Sequence, residues 1–427
     1  MVASGKHRTH HRTKGHSDDE DATPSWIDTL DQSIDDLNVK RLSTREKALE
    51  RLLSILRQHN AMAPLASRTE ELVELLTQRI QHGESPRETI MATKILGLAF
   101  INHNDEFSHY DQELLYQDAA HILRDKAEES KNKKIKAQCY ETLALLTFII
   151  SSQIDAQMIR HDMYSILVAN ADDDEGDGND TSDKKATNDD DDDNANGDSE
   201  DDILIATVIR AYALMFVTSF CQGPVNADII QEEMDKVIGE VELWMDFPGL
   251  PQTAGGQAVA LMFETLRSAT GDDDSAGRSD QNELNELVHT LRTLSMEQQD
   301  DDDNYIFQDI LATVEDGSQP YHEIEIKEKS FVLDRWSKII PLNAFQKCLG
   351  KSGLDQHYKS NDVIWKLFGK TDEERSDSED SAVDEPSLAA SVKYANVSKF
   401  NKSMIYQENK KSRTKRLAAG RSGKDRL

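Results

Sequence analysis

Apolar residues recur in this chain in blocks at helical spacing, one block roughly every twenty residues. The first predicted helix begins at a capping box made by Ser43 and Glu46 and ends near Asn60. Further blocks lie at residues 65–80, 90–101, 114–127, 135–150, 156–169, 203–220, 229–244, 258–266, 284–294 and 305–311. Little strand-type alternation precedes residue 320, so the pattern predicts an all-α chain.

Taken in pairs, the blocks repeat with a period of about forty residues, which is typical of armadillo and HEAT repeats. Each helix pair leaves one apolar face uncovered, and stacking the next pair covers it. We therefore predict an armadillo/HEAT-like α-solenoid over residues 25–315, preceded by a disordered leader of mixed charge at residues 1–24.

Acidic runs interrupt the apolar blocks. Residues 172–202 contain sixteen Asp and Glu among thirty-one positions. The few apolar residues in this segment cannot bury enough surface to offset the entropy cost of ordering it. We predict a disordered insert at 171–202 and an acidic linker at 371–392. A calcium loop is the alternative, but the alternating carboxylates, mid-loop glycine and final glutamate of that motif do not fall into place.

The composition changes between residues 316 and 370. Ile324 and Ile326 alternate with glutamates, which predicts a short extended or hairpin element. Helices are expected near 342–349 and 362–368. We interpret this segment as a small C-terminal cap that closes the repeat.

Motifs of enzymes and of membrane or secreted proteins are missing from the sequence. We find no phosphate-binding glycine pattern, nucleophile elbow or paired-histidine helix, and neither an apolar run of membrane length nor a secretory signal. The three cysteines are far apart, and the histidines between 7 and 16 alternate with Lys and Arg, whose charge opposes a bound cation. We expect a soluble intracellular protein without catalytic residues, cofactor, metal or small-molecule substrate.

The final segment, 393–427, reverses the charge of the chain. It holds eleven Lys and Arg against two acidic residues, in a sequence whose formal net charge is -31. A basic arm on an acidic body suits a polyanion such as RNA. The predicted RNA-binding residues are Lys399, Phe400, Lys402, Tyr406, Lys410, Lys411, Arg413, Lys415, Arg416, Arg421, Lys424 and Arg426. The alternatives are a solvated tail and, at 410–416, a nuclear import signal.

Two details extend this interpretation of the tail. Phe400 and Tyr406 lie among the charges and could stack on unpaired bases, or serve no specific purpose. Ser376 and Ser381 each precede an acidic residue by three positions, as acid-directed kinases require. Our hypothesis is that the acidic linker folds back on the basic tail when no partner is bound, and phosphate at these serines would strengthen that masking.

Three short motifs carry a resemblance to a known family. The first is Lys40, Arg41, Ser43, Thr44 and Arg45 at the start of a predicted helix. The second comprises Glu323, Ile324, Ile326 and Lys327, followed by Leu333, Asp334 and Trp336; the third comprises Gly353, Leu354, His357 and Asn361. In this order, from about residue 25 to residue 370, they resemble the interferon-related developmental regulator family.

The resemblance implies a non-enzymatic regulator with an armadillo-like fold. It associates the family with two tasks: binding translationally idle ribosomes, and co-regulating transcription through chromatin-associated deacetylase complexes. The basic tail favours ribosomal RNA, so our leading hypothesis is a cytoplasmic, ribosome-binding scaffold that silences translation. The alternatives are a nuclear transcriptional co-regulator and a generic solenoid that binds peptides on its concave helix faces.

Overall fold

The computed structural model describes residues 25–103, 109–150, 152–173, 199–271, 281–297, 304–326, 329–350, 352–358 and 361–368. The predicted leader, linker and basic tail lie outside this part of the chain, as does most of the predicted insert. The helices of the repeat region are α1 (Trp26–Asp36), α2 (Leu42–Gln58), α3 (Met62–Leu65), α4 (Thr69–His82), α5 (Pro86–Ile101), α6 (His109–Glu129), α7 (Lys133–Ile150), α8 (Gln153–Asp173), α9 (Glu200–Phe216), α10 (Ala227–Met245), α11 (Leu250–Thr270), α12 (Gln281–Glu297) and α13 (Asn304–Asp316).

These helices stack in two rows. The outer row consists of α1, α4, α6, α8, α10 and α12, and the inner row of α2, α5, α7, α9, α11 and α13. Each outer helix packs on the inner helix that follows it, and each inner helix packs on the next along the row. This arrangement confirms the predicted all-α solenoid, in which every helix pair covers the open face of its neighbour.

A third layer follows the repeats. Strands β1 (His322–Ile326) and β2 (Lys329–Leu333) form an antiparallel hairpin with His322 opposite Leu333. Three helices follow, α14 (Trp336–Leu349), α15 (Gly353–His357) and α16 (Asp362–Phe368). The hairpin and both predicted helices are therefore present, and α14 begins six residues before the expected position.

The small C-terminal cap contacts far more than the last repeat. Helix α14 packs on α11, α9, α7 and α5, and α15 reaches α2, so the segment runs back along the whole inner row. At its far end, a Cβ added to Gly97 of α5 would lie 3.3 Å from Cys348 Sγ of α14. A side chain at position 97 would require Cys348 to shift by a few tenths of an ångström, so the small residue suits this close approach.

Coverage on two sides explains the composition of the inner row. Helices α5, α7, α9 and α11 carry apolar residues around most of their circumference, and most of those side chains are buried. A helix that is apolar all round is stable only when it is enclosed. Within the described residues, 200–221 is long and apolar enough to span a membrane, and 83% of that window is buried inside the fold.

The predicted start of the first helix is wrong in two respects. Helix α1, with its own capping box of Ser25 and Asp28, precedes it and was not among the predicted blocks. Helix α2 begins at Leu42 with Arg41 at its N-cap and no side-chain cap, so Ser43 and Glu46 form no capping box. The Glu46 carboxylate instead accepts a hydrogen bond from the Ser85 hydroxyl at 2.7 Å.

Candidate functional site

The first family motif is divided between solvent and core. Lys40, Arg41 and Ser43 are exposed and Thr44 is half-buried. Arg45 is 2% exposed, and its guanidinium donates to Glu88 Oε1 at 2.6 Å and to Glu84 Oε1 at 3.0 Å. It also donates to the Lys40 carbonyl at 2.6 Å, which fixes the turn before α2. This arginine therefore joins the first two inner helices.

The ion pair between Arg45 and Glu88 is charged in the folded protein. Burial opposes ionisation of Glu88, but hydrogen bonds from Arg45 and from the Glu84 backbone outweigh it and hold the Glu88 pKa below its usual value. The hydrogen bond to Glu88 raises the pKa of Arg45 in turn. A buried pair of this kind is costly to break on one side only.

The second motif anchors the beginning of the third layer. Leu333 and Trp336 are buried, and Trp336 Nε1 donates to Thr313 Oγ1 at 3.0 Å. The backbone N–H groups of Trp336 and Ser337 donate to the two carboxylate oxygens of Glu264, at 2.8 and 3.1 Å. Glu264 of α11 thus caps the N-terminus of α14 from another element.

Asp334, in the same motif, differs from the buried Leu333 and Trp336. Asp334 lies nearer the surface and pairs with Lys338 at 3.0 Å, within the same segment. That hydrogen bond lowers the pKa of the Asp334 carboxyl. Because the pair is partly exposed, it contributes little to stability.

The third motif anchors the opposite end of the layer. Leu354 and His357 are buried, and His357 Nε2 lies 3.0 Å from the Leu56 carbonyl at the end of α2. A carbonyl only accepts, so Nε2 carries the proton. Asn361 Nδ2 donates to the Ile101 carbonyl of α5 at 2.6 Å. These two side chains use carbonyl groups that the ends of α2 and α5 leave unpaired within the helices.

Gly353 permits this contact. A Cβ at that position would lie 2.9 Å from the Arg57 carbonyl oxygen, closer than any side chain allows. Arg57 Nε in turn donates to the Cys348 carbonyl at 3.0 Å. The second and third motifs therefore attach the two ends of the C-terminal segment to the solenoid.

A cleft of about 940 Å³ opens between the ends of α11 and α13, the start of α14 and the π-helical turn Val217–Cys221. Two of its charged side chains, Arg267 and Glu264, are hydrogen-bonded to the surrounding helices. Arg267 donates to the carbonyls of Thr313 and Val314 at the end of α13, and burial lowers its pKa. Glu264 caps α14, and burial raises its pKa.

The described residues offer little for covalent or metal chemistry. Burial raises the pKa of the thiol to about 12 in Cys139, about 11 in Cys221 and about 12 in Cys348, so all three are protonated at neutral pH. Within the described part of the chain, no group of three or more His, Cys, Asp and Glu could hold a metal ion.

Comparison with family models decides what kind of protein this is. The model described as interferon-related developmental regulator (IFRD) matches residues 2–315, almost three quarters of the chain. The chain belongs to the IFRD family. The resemblance suspected from the motifs is thereby confirmed, and the family assigns the protein a regulatory role in development or gene expression.

The family match covers one of the three motifs. It contains the first motif and the solenoid through α13 but ends before the hairpin, so the second and third motifs lie beyond it. A comparison with individually curated proteins found no match. The contacts of the hairpin and of α14, α15 and α16, which lie beyond the family match, are therefore known from the structure alone.

Some predicted functional residues are buried in the core, Lys40, Arg41 and Ser43 are exposed before and at the start of α2, and the others lie in the undescribed segments. All predicted RNA-binding residues of the tail, with Ser376 and Ser381, lie outside the described residues and stay predictions. The sequence did not reveal Glu88, Glu264 and Thr313 as partners of the motif residues. Ser85 and Glu88 stand at capping-box spacing, but the distant partner Arg45 left no signal in the sequence.

Replacing Glu88 by Leu leaves the Arg45 charge buried without its main partner. We expect the free energy of unfolding to fall by about 3–5 kcal/mol, and the double change Arg45→Met with Glu88→Leu to recover most of it. Glu50→Leu breaks the exposed Arg87–Glu50 pair between the same helices and should cost no more than about 1 kcal/mol. Chemical denaturation measures all three; a loss under about 1 kcal/mol for Glu88→Leu would contradict the assigned role.

His357 should make stability depend on pH. Burial lowers its pKa below 6.5, so the unfolded chain binds the proton more readily than the folded chain. Stability should fall as the pH drops below about 6.5, with this group contributing up to about 1.4 kcal/mol per pH unit.

The variant His357→Gln tests this, because its amide can donate to Leu56 without titrating. Melting temperatures from pH 7.5 to 5.5 should fall less steeply for the variant than for the natural protein. Parallel curves would show that His357 does not contribute.

Proposed function

We propose that this IFRD protein is a non-enzymatic scaffold that regulates gene expression by binding translationally inactive ribosomes through its basic tail, residues 393–427. The observation that carries the proposal is the contrast of charge. The tail holds a net charge of about +9, which leaves about −40 on the preceding residues. Phosphate groups of ribosomal RNA are the natural partner of such a segment.

The third layer supports a role for surfaces other than the inner row. Solenoid proteins commonly bind partners along an extended concave surface. Here α14 covers the open side of the inner row, and Leu342 and Phe345 are fully buried there. A peptide could bind the same surface only by displacing these side chains, which disfavours the generic peptide-binding solenoid.

The chemistry of the described residues supports a scaffold over an enzyme. The buried polar side chains of Arg45, Glu88 and Glu264 hold helices together, and the thiols are protonated. In the polar cleft, Arg267 and Glu264 are hydrogen-bonded to the ends of α13 and α14. A regulator that acts by binding needs no further chemistry.

The acidic body gives the tail selectivity. Exposed carboxylates repel nucleic acid in general, so the protein should bind where a basic protein surface adjoins accessible RNA. Ribosomes present both. A nuclear co-regulator of chromatin-associated deacetylase complexes would use the same tail for import, and the experiment below separates the two.

Sucrose-gradient sedimentation of extracts from growing and starved cells tests the proposal. The full chain should move with idle monosomes, and changing Lys410, Lys411, Arg413, Lys415 and Arg416 to Gln should reduce that fraction at least about tenfold, because phosphate contacts are lost. Changing Lys6, Arg8, Arg12 and Lys14 to Gln is the control and should leave the fraction within about twofold.

Two results would contradict the proposal. Cosedimentation that survives the tail changes would remove the tail from ribosome binding. Absence from every ribosomal fraction together with retention in the nucleus would favour the transcriptional role.

A further inference from the structure

Four large apolar side chains of the outer row are exposed to solvent. On α8, Ile154 is 71% exposed and Met158 is 46% exposed. Leu114 on α6 is 41% exposed, and Ile229 on α10 is 52% exposed. Each of them lies within the first two turns of its helix. Single exposed apolar residues are ordinary, so the question is whether these four form one surface.

Contacts between α6 and α8 show which of their residues lie side by side. Burial raises the pKa of Tyr116 on α6, and the neighbouring Asp155 carboxylate on α8 raises that pKa further. Further along the same two helices, Arg124 Nε lies 3.4 Å from Asp162 Oδ2. The helices therefore run parallel and in constant register. Leu114 lies level with the first turn of α8, beside the exposed pair there.

Helix α10 continues the same surface on the other side of α8. Arg160 Nη1 lies 3.0 Å from Glu233 Oε1, and one turn later Lys236 Nζ lies 4.3 Å from the centre of the Tyr164 ring. Ile229, one turn before Glu233, is therefore level with the first two turns of α8. Packed helices lie about 8–10 Å apart, so the surface is about 20 Å long. We call it the apolar strip, and it consists of Leu114, Ile154, Met158 and Ile229.

Carboxylates surround the apolar strip. Glu113 and Asp118 are exposed beside it on α6, and Asp228 and Glu232 are exposed beside it on α10. The first two turns of α6, α8 and α10 contain no Lys or Arg. A partner that covers this surface must therefore combine an apolar face with positive charge.

The same charge disfavours other occupants. Anionic membranes attract basic helices, and RNA phosphates are repelled by carboxylates. In a symmetric dimer formed through this surface, the carboxylates of one copy would face those of the other. A basic amphipathic helix meets both requirements, because its apolar residues form one stripe and its charged residues flank that stripe. At 1.5 Å per residue, about fourteen helical residues span the apolar strip.

We propose that the apolar strip binds a basic amphipathic helix of a partner protein. The apolar stripe of that helix crosses α6, α8 and α10, and its Lys and Arg side chains pair with the surrounding carboxylates. The inference goes beyond the proposed function, which assigns binding to the tail, because it adds a protein-binding surface on the outer row.

The probe is a labelled peptide of about fifteen Leu and Lys residues, with Leu at helical spacings of three and four so that one face is apolar. Its affinity for the full chain is measured by fluorescence anisotropy at about 150 mM salt, which screens weak attraction to the acidic chain in general. A second peptide, in which Glu replaces every Lys, should bind at least about tenfold more weakly.

The strip variant Ile154→Gln with Met158→Gln should weaken binding of the basic peptide at least about tenfold, because the centre of the surface loses its apolar contact. The control Leu243→Gln with Met296→Gln makes the same kind of change at exposed positions near the ends of α10 and α12. It should alter the affinity by less than about twofold. A photo-reactive version of the basic peptide should cross-link to the N-terminal halves of α6, α8 and α10.

Undetectable binding of the basic peptide would overturn the inference. Equal affinities of the strip and control variants, or cross-links confined to other segments, would do the same, because the peptide would then bind through charge alone. A dimer in analytical ultracentrifugation that the strip variant dissociates would identify a second copy as the occupant instead. Thermal unfolding verifies that each variant is folded. Tail-dependent sedimentation with ribosomes does not depend on these results, so the two proposals can fail separately.

Discussion

Helix α14 lies across four helices of the inner row and buries Leu342 and Phe345 against the side that the outer row leaves open. Each large apolar side chain buried in this way contributes about 1.5–3 kcal/mol. Without α14, helices that are apolar all round would expose one side to water. This contact explains why the inner row is so apolar and why residue 97 is a glycine. It is held at its two ends by hydrogen bonds to Glu264 and to the Leu56 carbonyl.

The same contact fills the surface that solenoid proteins commonly use to bind partners. Under the proposed function, a partner would therefore bind outside the inner row. The motif residues Trp336, His357 and Asn361 hold the third layer in place, whereas Lys40 and Arg41 are exposed before α2. Burial thus separates the motif residues that hold the fold together from those that face solvent.

Sequence reasoning recovered the helices because apolar periodicity survives wherever one helix face meets a core. It missed α1, whose few buried residues, Leu30 and Ile34 among them, stand in an acidic stretch. It also did not predict that the third layer contacts the inner helices from α11 back to α2. The sequence of an apolar helix does not reveal how many neighbours enclose that helix. Arg45 was identified from the motif, but its burial depends on Glu88, forty-three positions away.

Hydrogen exchange monitored by mass spectrometry tests the central claim, that the C-terminal segment is an integral third layer, most directly. If α14 is integral, amides of residues 339–348 should exchange as slowly as those in the middle of α7, because both open only when the layers separate. Fast exchange in α14 beside slow exchange in α7 would contradict the account. It would show that the solenoid is stable with its inner row uncovered and free to receive a partner.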